Sequence, residues 1–537
     1  MAIVATAEKP TVDPAMRGLN IRSVYEWESG IPGSFPRTPP LRSMKPKVGS
    51  ERSYPAPAGP PSPLRGGNGA SVPPTAFWGD LMSGMERARP GAGRPRVVVV
   101  GGGFGGVACV RKLRRSDVDV TLIDRRNHTL FQPLLYQVAT GVLDDSSIAS
   151  PIRRVFGRQR NVTVVKAEVE DFDVENQLVK AGDLEIPWDH LVIAAGVQTN
   201  YFGNDWESLA PGLKTLEDAH VVRARILDAF EQAEVARVQG DVESIPSWLT
   251  FVVVGAGATG VEVSGAIKQL AVDRLAREFH DLEVSRARVV LVEGGDRILP
   301  TMSERSSNAA RTTLERYGVE IRTGTRVVDV EGDGVRLSVD EKEEFIHART
   351  VIWGAGVRAS SLAERLAEAL GLETARGGTI PAEGDLTVKG RPDIRVIGDL
   401  AHYEQPDGEP VPGVAQGAIQ MGVYAGKAIA REVAGRSGVR KPFHYADKGS
   451  LATIGRGQAV LDRGRWHVSG FIGWVIWAIV HIAFLVNFRS RISAMGSWIW
   501  AYVVQDGVNE LITTQELERD PASEPARTPA KDGLQTT

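Results

Sequence analysis

Residues 96–106 read Arg96-Val97-Val98-Val99-Val100-Gly101-Gly102-Gly103-Phe104-Gly105-Gly106, a β-branched run of the kind buried in a parallel sheet that meets a glycine cluster with no linker between. A helix pattern follows from Val107 to about Arg114, and Val118 to Ile123 reads as a second strand that ends on Asp124. In such a unit Gly101 permits the tight strand-to-helix turn, Gly103 lets backbone approach a pyrophosphate, and Gly106 lets helix pack on strand. The helix N-terminus then faces the phosphates, and Asp124 stands where an acid accepts hydrogen bonds from a ribose. The order recurs at Phe251-Val252-Val253-Val254, followed by Gly255-Ala256-Gly257-Ala258-Thr259-Gly260, a helix through about Leu270, and a strand Val289–Val292 ending on Glu293. One glycine turn is a weak signal. Strand, glycines, helix, strand and acid in order twice point to two dinucleotide-binding βαβ units.

Working outward, three more apolar strands run into glycine: Leu191 to Gly196, Val351 to Gly356, and Ile394 to Gly398-Asp399. The last completes the first unit after the second has interrupted it. The expected fold class is therefore α/β, with two Rossmann-type dinucleotide-binding domains, the second inserted in the first, and a C-terminal region that differs in kind from both. The boundaries read as a disordered Pro/Gly/Arg-rich leader over 1–94, a first dinucleotide domain over 95–245, the second over 246–349, and the rest of the first over 350–432. A C-terminal region over 433–515 and a polar tail over 516–537 follow.

Composition narrows the function. With 63 Lys+Arg against 66 Asp+Glu the net charge is -3, so no basic excess invites nucleic acid. The single cysteine, Cys109, rules out an intramolecular disulfide, a CxxC redox pair and a cysteine-based zinc or iron-sulfur site, and no metal is expected. The start, MAIVATAEKP, lacks the pattern of a secretory signal, so the bulk of the chain reads as cytoplasmic. Two dinucleotide sites are what a flavoprotein needs if it draws electrons from a nicotinamide, since the flavin stays while the second dinucleotide comes and goes.

The stretch Asp124-Arg125-Arg126-Asn127-His128-Thr129-Leu130-Phe131-Gln132-Pro133-Leu134-Leu135-Tyr136-Gln137-Val138-Ala139-Thr140-Gly141 closely resembles the segment after the first acidic residue in type II NADH:quinone oxidoreductases. The resemblance continues through Gly255 to Glu262, Ile397-Gly398-Asp399 and Ala415-Gln416-Gly417-Ala418-Ile419-Gln420, which is similar to the family's AQxxIQ element. It spans roughly residues 96 to 515, and the Pro-rich leader departs from it. It implies a C-terminal membrane-attachment region, and FAD in the first domain on Gly101, Gly103, Gly106, Asp124, Ala195, Gly196, Gly398 and Asp399. NADH goes in the second, on Gly255, Gly257, Gly260 and Glu293. Gln416 and Gln420 match the quinone-side motif. Glu262 and Lys448 resemble a pair tied to the quinone site and its proton supply; read without the family, they are a solvated helix residue and a surface lysine. No DxDxDG loop occurs, so calcium control is not expected.

The acceptor follows partly by exclusion, because disulfide reductases and sulfide:quinone oxidoreductases of this plan need cysteines that this chain lacks. A quinone acceptor calls for a bilayer. Phe471 to Val486 is almost wholly apolar but short of the roughly 20 residues of a spanning helix, and Trp474, Trp477, Trp498, Trp500 and Tyr502 suit a lipid–water boundary. The expectation is a non-proton-pumping NADH:quinone oxidoreductase, peripheral or monotopic on the cytoplasmic side of the cell membrane, with lipid covering the C-terminal segment. A buried hairpin, a homodimer interface or a short spanning helix is the alternative. The rival functions are a soluble NADH oxidase or ferredoxin-type reductase, and a flavin-bearing redox sensor.

Overall fold

The computed structural model describes residues 93–436, 441–503 and 509–513. All but the last two residues of the leader, and the whole tail, lie outside them. From Arg96 the chain forms β1 (Arg96–Val100), α1 (Phe104–Lys112), β2 (Asp119–Asp124), β3 (Val162–Lys166) and β4 (His190–Ile193). A short strand, β5 (Val197–Thr199), leads away to α2 (Leu216–Gln239). Next come β6 (Thr250–Val254), α3 (Ala258–Gln269), β7 (Arg288–Val292), α4 (Glu304–Tyr317), β8 (Val319–Arg322) and β9 (Thr350–Trp353). β10 (Val357–Ala359) leads back to β11 (Thr387–Val388), β12 (Arg391–Val396) and α5 (Ala415–Val433).

The first sheet has the order β11-β12-β4-β1-β2-β3 and the second β8-β7-β6-β9. β12 pairs in parallel with β4, Ile394 opposite Leu191, so the first sheet is finished by a strand that arrives after the whole second sheet. β1 is an unbroken valine run because both its faces are covered: Val97 and Val99 belong to one hydrophobic cluster, Val98 and Val100 to another. β5 and β10 pair antiparallel, Val197 opposite Ala359 and Thr199 opposite Val357, and form the ribbon by which the chain leaves and re-enters the first sheet.

Several boundaries move. β9 pairs with β6, Phe251 opposite Thr350, so the division placed at 349/350 falls beyond Trp353. The division at 245/246 moves back to the ribbon: the rings of Phe230 in α2 and Phe251 in β6 lie 5.3 Å apart, as do those of Trp206 and Trp353. An apolar strand that ends in glycine looks alike in either sheet, which is why pattern alone misplaced it. α1 begins at Phe104 rather than Val107, because Gly105 and Gly106 are drawn into the helix by packing that needs their missing side chains.

The C-terminal region read over 433–515 differs most from expectation. Its first part is an antiparallel meander, β13 (Ser450–Gly455), β14 (Gln458–Arg463) and β15 (Trp466–Ser469), laid on α3 so closely that a Cβ on Gly265 would collide with the Ile454 carbonyl oxygen. α6 (Gly470–Phe484) and α7 (Phe488–Val503) follow. Among the described residues no helix is long and apolar enough to cross a membrane. Trp477 and Trp498, expected at a lipid boundary, are 0% and 5% exposed, with rings 5.2 Å apart, and the Trp498 indole N–H donates to Gln137 Oε1 at 2.7 Å. These two are core. Trp474 is half-buried against Phe471, and the Tyr502 side chain lies outside the described residues. The opposite side of the pair exposes Phe471, Ile472, Ile479, Ile492, Ile499 and Trp500. The expected apolar surface thus exists on one side of a docked hairpin.

Candidate functional site

At the first glycine turn, Gly101 has φ +105°, its N–H donates to Ile123 O at 2.8 Å, and a Cβ there would collide with Ala194 O. A Cβ on Gly106 would strike Gly101 O, so helix and turn touch only because both residues are glycine. Gly103 caps α1 with open space where a side chain would point, which leaves its backbone free to be approached. The Asp124 carboxylate is gripped at both oxygens, by the Gly102 N–H at 2.6 Å and the Arg126 N–H at 2.7 Å. Each oxygen keeps a lone pair for a ribose hydroxyl.

The second turn repeats this. Gly255 has φ +93° and donates to Val292 O at 2.7 Å, a Cβ on Gly260 would strike Gly255 O, and Gly257 opens onto free space. Glu293 is held by the Ala256 N–H at 2.7 Å and the Gly295 N–H at 2.8 Å. Both cradles have the shape and donors a dinucleotide pyrophosphate and ribose require.

Gly398 and Asp399, at the end of β12, are carried to the first crevice by the β12–β4 pairing. α5 joins them to the glycine turn: the Gly398 N–H donates to Met421 Sδ at 3.2 Å, and the Ala418 carbonyl faces Gly105. Burial pushes the Asp399 carboxyl above its ordinary range, opposed by the Lys214 charge; burial likewise pulls Lys214 down, opposed by Asp399 and Asp218. Lys214 carries no sequence mark and was missed. Gly196, with φ +67°, lies at the start of the ribbon, its carbonyl accepting the Ser360 N–H at 3.1 Å. Ala195 precedes it, half-buried.

No side chain caps α5, so its positive end stays open, and in its first turn Gln416 Oε1 is buried with no donor among the described residues. Gln420, a turn further on, pairs both ways with Ala446, Nε2–H to the carbonyl and Ala446 N–H to Oε1, each at 3.0 Å. Its amide is thereby spent on backbone. Lys448 is exposed, its Nζ 6.0 Å from the centre of the Phe484 ring. Glu262 is not a solvated helix residue: it is 9% exposed, beneath β13, accepting the Thr453 N–H at 3.3 Å, and burial pushes its pKa up to about 8. One segment, 446–453, therefore carries Lys448 and bonds Gln420 through Ala446 and Glu262 through Thr453.

Two nested α/β domains, each presenting a glycine turn and a backbone-held carboxylate, define an oxidoreductase that works with two dinucleotides. Residues 95–422 match the pyridine nucleotide-disulphide oxidoreductase family. The chain is 42% identical over 430 residues to the type II NADH:quinone oxidoreductase Ndh of Mycobacterium tuberculosis, covering 79% of this chain and 91% of that protein. It is also 42% identical over 434 residues to NdhA of the same organism, with the same coverage of 79% and 91%. The solved structure of NDH2 from Plasmodium falciparum in complex with NADH shares the fold, at TM-score 0.69 and 21% identity, covering 78% of this chain and 100% of that one. The chain belongs to the type II NADH:quinone oxidoreductases. It is a membrane-associated enzyme that takes FAD and NADH and reduces a quinone without pumping protons. That sets aside the soluble oxidase, the ferredoxin-type reductase and the sensor.

Proposed function

We propose that FAD occupies the first crevice, on Gly101, Gly103, Gly106, Asp124, Ala195, Gly196, Gly398 and Asp399, and NADH the second, on Gly255, Gly257, Gly260 and Glu293. The observation that carries this is the pairing of β12 with β4, which adds Gly398, Asp399 and α5 to the first turn alone. A crevice closed from two parts of the chain suits a resident cofactor; one without that cover suits a ligand that exchanges. FAD bound there supplies a relay that accepts a hydride from NADH and passes two electrons to the quinone.

The residues around it bind, orient and supply protons. Gln416, with its unpaired amide oxygen, is the group available to orient a quinone or flavin edge, whereas Gln420 positions the 446 segment. Burial favours the protonated form of Glu262, which can give its proton toward a forming quinol, with Lys448 exposed at the α6 end. The exposed side of α6 and α7 rests on lipid at the cytoplasmic face, where apolar rings and Trp500 meet the headgroups. A homodimer through that same side is the competing cover, and flotation with vesicles against sedimentation of the free protein separates the two.

The test is stopped-flow on Gln416→Ala in the FAD-loaded enzyme. Flavin reoxidation by quinone should slow about tenfold or more while reduction by NADH stays within about twofold. Slowing of the reductive half instead would put Gln416 on the nicotinamide side.

A further inference from the structure

Phe202 adopts a backbone conformation for which a phenylalanine has no local reason. Its φ is +54°, in the left-handed region where a bulky side chain is an outlier, and the residue is 65% exposed. The surroundings impose this. The Phe202 N–H donates to Asn200 Oδ1 at 2.8 Å; the Asn200 carbonyl accepts the Trp353 indole N–H at 3.0 Å; Asn204 Nδ2–H donates to Tyr201 O at 2.9 Å; and the Tyr201 hydroxyl donates to Ala210 O at 3.0 Å. Strain held this firmly needs a return elsewhere, and such strain concentrates where ligands bind. The ring lies against Gly356, where a Cβ would come within 2.7 Å of its Cζ, so Gly356 makes the room for it.

The place is defined by the second sheet. Gly354, Ala355 and Gly356 leave the end of β9 in sequence: the Gly354 N–H donates to Val254 O at 2.7 Å, Ala355 abuts Gly255, and Gly356 carries the Phe202 ring. β6 is the first strand of that sheet in chain order and β9 the last, and they are neighbours, so their ends mark the point where strand order reverses and ligands bind. The ribose carboxylate Glu293 ends β7, on the opposite side of β6. Phe202 therefore stands at the end of the crevice away from the adenosine. The β5–β10 ribbon connects that end to Gly196: Ser360 meets Gly196 at one end, and the Asn200 N–H meets the Gly356 carbonyl, at 3.4 Å, at the other.

We propose that Phe202 binds the nicotinamide riboside half of NADH, its ring face positioning the nicotinamide on its way from the glycine turn to the flavin. This rests on NADH occupying the second crevice. An aromatic face suits the planar nicotinamide in both redox states, stacking on the neutral dihydro ring and on the cationic oxidised ring, and the rigid Asn200 turn keeps that face presented before the ligand arrives.

The test uses the full-length FAD-loaded protein and calorimetric titration with NAD+ and with ADP-ribose, which lacks the nicotinamide. Phe202→Gly, which adopts the left-handed backbone freely, should weaken NAD+ binding about tenfold or more and leave ADP-ribose within about twofold. Its Tm should not fall, and Phe202→Tyr should bind NAD+ within about twofold of the parent protein. The KM for NADH should rise with that of quinone unchanged. Unaltered NAD+ affinity in Phe202→Gly, or equal losses for both ligands, would overturn the proposal. ADP-ribose binding that survives Gly260→Ala would instead overturn the placing of NADH in the second crevice.

Discussion

The two glycine turns are near copies, while the helices that leave them are covered in opposite ways. Gly101 and Gly255 share a left-handed φ, Gly106 and Gly260 each touch the carbonyl of the turn's first glycine, and Asp124 and Glu293 are gripped by equivalent backbone N–H groups. Behind them, α1 packs on another helix, α5, where a Cβ on Gly422 would collide with Gly105 O and one on Gly426 would stand 2.6 Å from Cys109 O. α3 packs on a strand, β13, through Gly265. Two residues past the third glycine, α1 has the buried Ala108 and α3 the buried Glu262. Phosphate and ribose chemistry dictates the turn, and so it repeats. The back of each helix answers to its own domain: the first is closed by α5, and the second accommodates a carboxyl beneath the C-terminal meander.

The strongest blow to the comparison is Gly106→Ala. The added methyl meets Gly101 O, so the variant should be purified nearly free of flavin and destabilised by about 1–3 kcal/mol, read from flavin content per chain and thermal unfolding. Next comes Trp477→Ala, which empties a fully buried site where α6 meets Trp498; a loss of about 3–5 kcal/mol is expected in denaturant unfolding. For the same reason, cutting the chain at about Gly470 should damage the fold instead of cleanly freeing the enzyme from membranes.

A smaller effect belongs to Glu262. Its folded pKa of about 8 lies above the unfolded value, so the folded state binds more protons between the two and stability falls as pH rises through that window. Glu262→Gln keeps the shape and removes the proton exchange. The Tm of the parent protein should therefore drop from pH 5.5 to pH 9 by more than that of the variant, whereas parallel profiles would mean that the carboxyl is not buried. Smallest is Glu293→Gln, which should narrow the preference for NADH over NADPH by about tenfold, because a carboxylate at the ribose repels a 2′-phosphate. Comparable specificity constants for the two cofactors in the parent protein would remove the premise.

What could be read in the residues alone was what sterics enforces. A glycine that must approach a carbonyl, and an acid at the end of the next strand, leave a mark that no other residues satisfy, and the interrupted first domain followed from the late Gly398-Asp399. The sheet to which Thr350–Trp353 belongs left no such mark, since a buried parallel strand has the same composition in either domain. The meander at Ser450–Ser469 was missed because its short strands lack strict alternation. Trp477 and Trp498 were misread because a run apolar on every side does not say which side docks. Phe202 was invisible, because what marks it is a dihedral angle that its neighbours impose. Glu262 was tied to the quinone site only by resemblance, and its burial depends on a strand that folds back from 191 residues later.

The division of labour between the turns is tested most directly by Gly260→Ala, purified and assayed for flavin content together with stopped-flow reduction by NADH. The expected protein carries FAD at nearly one per chain and is reduced normally by dithionite, but its reduction by NADH is slowed about a hundredfold or more. A variant that loses its flavin, or is reduced by NADH at the parent rate, would contradict the assignment of the two crevices.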